Sequence, residues 1–244
     1  DVLVLQEIKC EADAFPAAAF AAAGYGAEIV GQKAYNGVAV LSRAPIRVAH
    51  RALPGLPAED GQARYIEFES DGLTVIGIYL PNGNSRGEEG FAYKLRWMDL
   101  LAERIEALLA AGAPLAVLGD FNVCPTDEDF ARGALPPGDA LVRPESRARL
   151  RRMVWAGLTD AVRASHPHGP AYTFWDYQAG AWPRDSGLRI DHILLSADVA
   201  ERLVSAAPDR MERDRPQPSA RGSRSRSGSG GTRRAPPARR RRRG

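Results

Sequence analysis

"LGDFNVCPTD", Leu118–Asp127, decides how the rest of this chain is read. An apolar run, Pro114-Leu115-Ala116-Val117-Leu118, has the composition of a buried strand, and it passes through a glycine into an acid and an amide two residues apart. A strand that only filled a core would gain nothing from Asp120 and Asn122. Side chains alternate along an extended backbone, so the two are expected on the same side, where both reach one bound phosphate or one metal-bound water. The plainer reading, an aspartate opening an Asx-turn, accounts for Asp120 alone.

Other apolar runs also close on polar residues. Val2-Leu3-Val4-Leu5-Gln6 leads into Glu7, Val75-Ile76-Gly77-Ile78 into Tyr79 beside Pro81-Asn82-Gly83, and Asp191 sits between Ile190 and Ile193-Leu194-Leu195. Taken singly, Glu7 reads equally as a solvated strand end and Tyr79 as a core tyrosine with a wet hydroxyl. Asp191 is harder to dismiss, because a buried carboxylate needs a partner. Taken together, the residues are expected to converge. Carboxylates, an amide and a phenol suit a hard cation such as Mg²⁺, which prefers oxygen ligands and keeps waters, rather than a closed His or Cys cage. The chemistry that fits is phosphodiester hydrolysis. Asp120 would take a proton from the attacking water, and Asn122, Tyr79 and the cation would stabilise charge on the phosphorane oxygens.

With 244 residues and 44% hydrophobic content the chain can bury one sizeable core. Strands are predicted over Val2 to Gln6, Val38 to Ser42, Tyr65 to Glu69, Thr74 to Tyr79, Leu115 to Leu118, Tyr172 to Phe174 and Ile190 to Leu195. Helices are predicted over Phe15 to Ala23, Gly90 to Ala111, and Pro144 to Trp155 with an extension. Leu95, Met98, Leu101, Ile105 and Leu108 recur at spacings of three and four, which marks one core-facing stripe. This order favours an α+β sandwich over a Rossmann alternation, and no GxGxxG or GxxxxGK[ST] motif supports a dinucleotide or P-loop reading. Cys10 and Cys124 form no metal or redox spacing. No apolar run approaches the roughly 18 residues that span a bilayer, so a soluble, cytoplasmic protein is expected.

The whole-chain charge of +3 misleads. Residues 213–244 hold twelve arginines against one acid, a net of +11, which leaves residues 1–212 at −8. The segment Gln217 to Gly244 has no aliphatic side chain larger than alanine or proline and is expected to be disordered. It reads either as a nucleic-acid-binding arm of the arginine-rich type or as GC-rich coding sequence translated out of frame. At the other end Asp1 is followed at once by a core-type strand, and further sequence upstream is expected.

The motifs LQEIK (5–9), YNGVAVLS (35–42), GQARYIE (61–67), IYLPNG (78–83), KLRWMD (94–99), GDFNVCPTD (119–127), TFWDY (173–177) and GLRIDHILLS (187–196) together resemble the exodeoxyribonuclease III family of abasic-site endonucleases, within the endonuclease/exonuclease/phosphatase superfamily. KLRWMD and TFWDY argue against its deadenylase and phosphoinositide phosphatase branches. The resemblance implies a four-layered α/β sandwich over residues 1–212, with two packed mixed sheets flanked by helices. It implies a Mg²⁺ or Mn²⁺ site held by Glu7, Asp120 and Asn122, with Tyr79 on the scissile phosphate and Asp191 paired to a catalytic histidine. It also implies that Phe174, Trp175 and Trp182 receive a flipped abasic sugar, although Phe174 and Trp175 read equally as core aromatics. The implied substrate is double-stranded DNA with abasic sites or 3′ ends, cleaved by a monomer with no membrane attachment.

Two departures stand out. The family's opening WNVN-like strand and its closing SDHAP segment are both absent, and RPQPS (215–219) gives way to Ala220-Arg221-Gly222, which is why the out-of-frame reading of the tail is preferred. His192 is expected to point away from Asp191, its strand neighbour, and so cannot replace the missing histidine. An enzyme lacking its first and last strands, and impaired in activity, is therefore expected. The alternative is a catalytically silent nucleic-acid-binding protein that uses the arginine tail.

Overall fold

The apolar run before Gly119 forms a strand at the centre of the larger of two packed sheets, in a computed structural model that describes residues 1–176 and 180–209. The large sheet has six strands in the order β4 (Arg47–His50), β5 (Tyr65–Ser70), β6 (Leu73–Tyr79), β7 (Leu115–Asp120), β11 (Asp191–Ser196) and β8 (Leu158–Asp160). Only β6 and β7 run parallel. A parallel pair needs a crossover, supplied here by α2 (Gly87–Ala110). A three-stranded antiparallel sheet holds β1 (Val2–Gln6), β3 (Val38–Ser42) and β2 (Gly26–Val30), with β3 in the middle. β9 (Phe174–Trp175) and β10 (Gly187–Leu188) form a short separate ribbon.

Strand alternation sorts β3 between two cores. Val38 and Val40 meet Ile66, Phe68 and Val75 of the large sheet. Ala39 and Leu41 face Phe15 and Phe20, the latter in α1 (Ala17–Ala22). The far face of the large sheet is covered by α2 and α3 (Pro144–Trp155), whose Leu150 and Met153 share a core with Trp97, Met98, Leu101 and Ile105. Each of these large side chains contributes about 1.5–3 kcal/mol by leaving water. The result is the predicted four-layered sandwich.

The α2 stripe holds for Met98, Leu101 and Ile105, whereas Leu95 and Leu108 are only half-buried at its margins. Lys94 lies on the buried face, which the apolar periodicity did not anticipate. α2 begins before the predicted Gly90, and α3 stops at Trp155 without an extension. The strands β2, β4, β8 and β10 were not predicted. GAEIV and RVAH carry charges, and the other two strands are too short to alternate, so sheet pairing rather than propensity places them. Among the described residues no helix is long and apolar enough to cross a membrane. The predicted tail (213–244), the RPQPS segment and Tyr177 lie outside the described residues.

Candidate active site

β7 does not end at Leu118 but continues to Asp120. Its parallel pairing sets Gly119 beside Ile78 and Asp120 beside Tyr79, so a phenol and a carboxylate leave adjacent strands at the same level. A Cβ on residue 119 would lie 2.1 Å from the Ile78 carbonyl oxygen, and φ there is +133°. Only glycine lets the two strands pass this closely.

Asp120 and Asn122 do converge, but not by strand alternation as predicted. The strand stops at Asp120, and Asn122 takes a left-handed φ of 49°, a conformation asparagine tolerates. Its N–H donates to Asp120 Oδ1 at 2.7 Å, and its side-chain amide donates to Asp120 Oδ2 at 3.1 Å and to the Leu80 carbonyl at 2.9 Å. Asn82 Nδ2 donates to Asn122 Oδ1 at 2.9 Å. The Asx-turn and the functional reading of Asp120 are therefore one arrangement.

Glu7, Tyr79, Asn82, Asp120, Asn122 and Asp191 all line a single cleft of about 850 Å³. Glu7 arrives from the small sheet, just past β1, and the others arrive from the large one. The Tyr79 hydroxyl donates to Glu7 Oε1, and Lys9 Nζ pairs with Glu7 Oε2 at 2.6 Å. Burial opposes the charge on Glu7, but Lys9 and Tyr79 outweigh it and hold this carboxyl below its ordinary value. Burial and then Glu7 push the Tyr79 phenol well up, so it stays a donor. The Arg64 guanidinium lies 4.8 Å from the Tyr79 ring centroid and donates to the Tyr79 carbonyl at 3.1 Å.

Asp191 opens β11 directly opposite Asp120. The partner it finds in the fold is thus another carboxylate, together with the Thr173 hydroxyl, which accepts from the Asp191 N–H at 3.1 Å. Burial, then Asp191, then Glu7 raise Asp120 well above its ordinary value, and burial pushes Asp191 up to about 6. Among the described residues no three carboxylate, histidine or cysteine side chains stand close enough to hold an ion unaided. The donor set still fits a divalent cation that takes oxygen ligands and keeps waters. Asp191 and Glu7 both act on Asp120 with like charge across the cleft, and a bound positive charge relieves that repulsion.

Behind the cleft the loop that carries Asn122 is held by two groups the sequence reading did not assign. Lys94, fully buried and lowered by burial to about 7, donates to the Asn122 carbonyl at 2.7 Å. His192 points away from Asp191 as expected, and its Nε2 meets the Val123 carbonyl at 2.9 Å while Nδ1 faces Arg189 at 3.1 Å. Burial, then Arg189, lowers His192 to about 4, so the ring is neutral, with Nε2 donating and Nδ1 accepting. Arg189 itself is 1% exposed and pairs with Asp129 at 2.6 Å and Asp160 at 2.7 Å. A lysine in an amphipathic helix reads as a solvent residue, and only the strand position of His192 hinted at a buried ring.

The aromatic expectation divides. Phe174 lines the cleft with Leu135, Ala181 and Leu188, whereas Trp175 and Trp182 are not among the described residues that line it. Successive residues of β9 face opposite ways, so Trp175 turns from the cleft, donates to Asp185 Oδ1 at 3.0 Å and meets Trp182 edge to face at 5.1 Å. The opposite wall, Gly133 to Pro136, reads in sequence as a plain loop and gave no signal. Arg184 also lines the cleft.

Residues 1–224 match the Endonuclease/Exonuclease/phosphatase family. The chain belongs to that family. Within it the chain is an exodeoxyribonuclease III-like hydrolase, 36% identical over 216 residues to exodeoxyribonuclease III of Haemophilus influenzae, a match covering 84% of this chain and 80% of that protein. The fold superimposes on a 3′-5′ exonuclease from Neisseria meningitidis with a TM-score of 0.83 and 38% identity, covering 90% of this chain and 85% of the other. An AP endonuclease from Archaeoglobus fulgidus gives a TM-score of 0.76 at 31% identity, covering 82% and 78% of the two chains.

Proposed function

We propose that this chain is a DNA repair nuclease that hydrolyses phosphodiester bonds of double-stranded DNA, at abasic sites and from 3′ ends, acting as a monomer. The observation that carries the reading is the meeting of Glu7, Tyr79, Asp120, Asn122 and Asp191 in one cleft, delivered by two different sheets. Asp120 takes the proton of the attacking water, and on substrate binding the Asn122 amide and the Tyr79 hydroxyl exchange their Asp120 and Glu7 acceptors for the phosphorane oxygens. Glu7 and Asp120, with Asn122, are the groups that would hold Mg²⁺ or Mn²⁺. When bound, the cation supplies Lewis-acid stabilisation of the phosphoryl charge. Phe174, Leu135 and Leu188 offer an apolar wall to a sugar turned out of the duplex.

Impairment is part of the proposal. All four histidines of the sequence, His50, His166, His168 and His192, lie within the described residues, and none is hydrogen-bonded to Asp191. Low turnover is therefore expected of the 244-residue chain. The assay is cleavage of duplex DNA carrying one abasic site, with a divalent cation or with chelator, by the 244-residue chain and by Asp120→Ala. Cleavage lost with chelator and in Asp120→Ala supports the reading. Cleavage that persists in Asp120→Ala overturns it. The second reading, DNA binding by the arginine-rich tail without turnover, predicts salt-sensitive binding that vanishes when residues 213–244 are deleted.

A further inference from the structure

Lys94 is fully buried, yet its ammonium has no ion-pair partner among the described residues. Its three N–H donors instead go to three carbonyls: Asn122 at 2.7 Å, Asn82 at 3.0 Å and Ala140 at 3.3 Å. An ammonium has three donors, and here all three are used. The three carbonyls belong to three separate stretches of chain: the turn after β6, the loop after β7, and the segment leading into α3. Two of those stretches contribute Asn82 and Asn122 to the cleft.

The surroundings are shaped to this side chain. A Cβ on Gly83, where φ is +90°, would lie 2.6 Å from Lys94 Cδ and 3.1 Å from the Ala140 Cβ, so a glycine makes room for the lysine stem. Ala140 O also accepts from the Ser146 hydroxyl at 2.8 Å, which fixes the third carbonyl from the α3 side. An apolar residue in its place would leave the three carbonyls without this shared donor. The ammonium is aimed at the peptide of the residue whose side-chain amide donates to Asp120.

We propose that Lys94 is a positioning residue, whose buried ammonium ties the Asn82, Asn122 and Ala140 carbonyls together and thereby holds the Asn122 amide in register with Asp120 for the reaction. The inference rests on the proposed nuclease function for its kinetic consequence, though not for its structural one. Asn122 is held in a left-handed conformation, and releasing its carbonyl frees the turn to relax. A displacement of about 1 Å in a positioned group lowers turnover by about 10²-fold.

Two measurements on the full chain decide the matter. In the first, Lys94→Met keeps the stem and removes the donors, and Lys94→Gln keeps two of them. The kcat for abasic-site cleavage is expected to fall roughly 10- to 100-fold in Lys94→Met and less in Lys94→Gln, with KM within about twofold. In an Asn122→Ala background the same Lys94 substitutions should cost under about threefold, because the residue they position is gone. Equal losses in both backgrounds would overturn the proposal.

The second measurement needs no activity: hydrogen-exchange protection of the Asn122 side-chain amide and backbone N–H by NMR. Protection should drop in Lys94→Gln while the amides of Leu101 and Ile105 in α2 stay protected. Unchanged protection at Asn122 sinks the proposal. If the parent chain cleaves no DNA, the nuclease reading fails by itself, and the exchange data still decide the role of Lys94. If Lys94→Met does not fold, Lys94→Gln carries both arms.

Discussion

Asp120 and Asp191 face each other as a directly paired couple across β7 and β11. Like charges directly opposite in a sheet are destabilising, and here burial and then Asp191 raise Asp120, while burial raises Asp191. The fold therefore holds a tension that only protonation or a counter-charge relieves.

Asp191, raised from 3.8 to about 6, keeps a proton in the folded chain that the unfolded chain has already lost. Its contribution to stability thus falls as pH rises from about 4 to about 6 and stays low above that. Asp191→Asn is expected to stabilise the metal-free protein at pH 7 by about 3 kcal/mol at most while lowering turnover. Guanidinium unfolding of both proteins in chelator checks this, and a variant less stable than its parent contradicts it. Added divalent cation should raise the parent's midpoint more than the variant's.

His192 runs the other way. Its folded-state value of about 4 lies below the ordinary 6.5, so the unfolded chain takes a proton that the buried ring refuses. Stability from this group is complete above pH 6.5 and declines as pH falls toward 4, by on the order of 3 kcal/mol. His192→Gln, whose amide can still donate to the Val123 carbonyl, should flatten that acid arm in a pH series of urea melts. An acid arm of unchanged slope would assign it to another group.

Asp129 anchors both Arg189 and Arg163 from a fully buried position. Burial alone would raise its carboxyl, but Arg189 and Arg163 hold it down at about 2. Asp129→Ala leaves the buried Arg189 charge with one partner fewer, and a loss of about 3–5 kcal/mol is expected in denaturant titrations. A loss under about 1 kcal/mol would mean that Asp160 suffices alone.

Tyr79→Phe keeps the ring against Arg64 and removes only the hydroxyl that donates to Glu7. Loss of one aimed donor is expected to cut kcat by about 10²-fold or more, with the melting temperature nearly unchanged. Full turnover in the variant would return Tyr79 to the role of a packing residue.

Much of the site was legible because Glu7, Tyr79, Asp120 and Asp191 stand at or just past strand ends, where a core has no use for them. Alternation also placed His192 on the face away from Asp191. The mechanism by which Asn122 reaches Asp120 was not legible, since a left-handed turn after a strand looks the same in sequence as one more extended residue. Lys94 was hidden by its helix, whose period reports apolar side chains and is blind to a cation facing inward. Trp175 and Phe174 look alike in the sequence, but in a two-residue strand they take opposite sides. The fold emerged more fully, because β3, β6 and β7 are strongly apolar. The strands that escaped notice, β2, β4, β8 and β10, exist through their neighbours.

The cleft straddles the seam of the sandwich: Glu7 rides on the small sheet, while Tyr79 and Asp120 ride on the large one. Within the large sheet, Tyr79 and Asp120 are brought together only after the whole of α2 has been threaded between them. Contacts so distant along the chain carry a loop-closure cost that local contacts do not. The cleft therefore depends on the docking of two sheets as well as on the pairing within each. On gentle heating, turnover should disappear while the circular dichroism of the helices is still intact, which makes activity a gauge of how firmly the two sheets are docked.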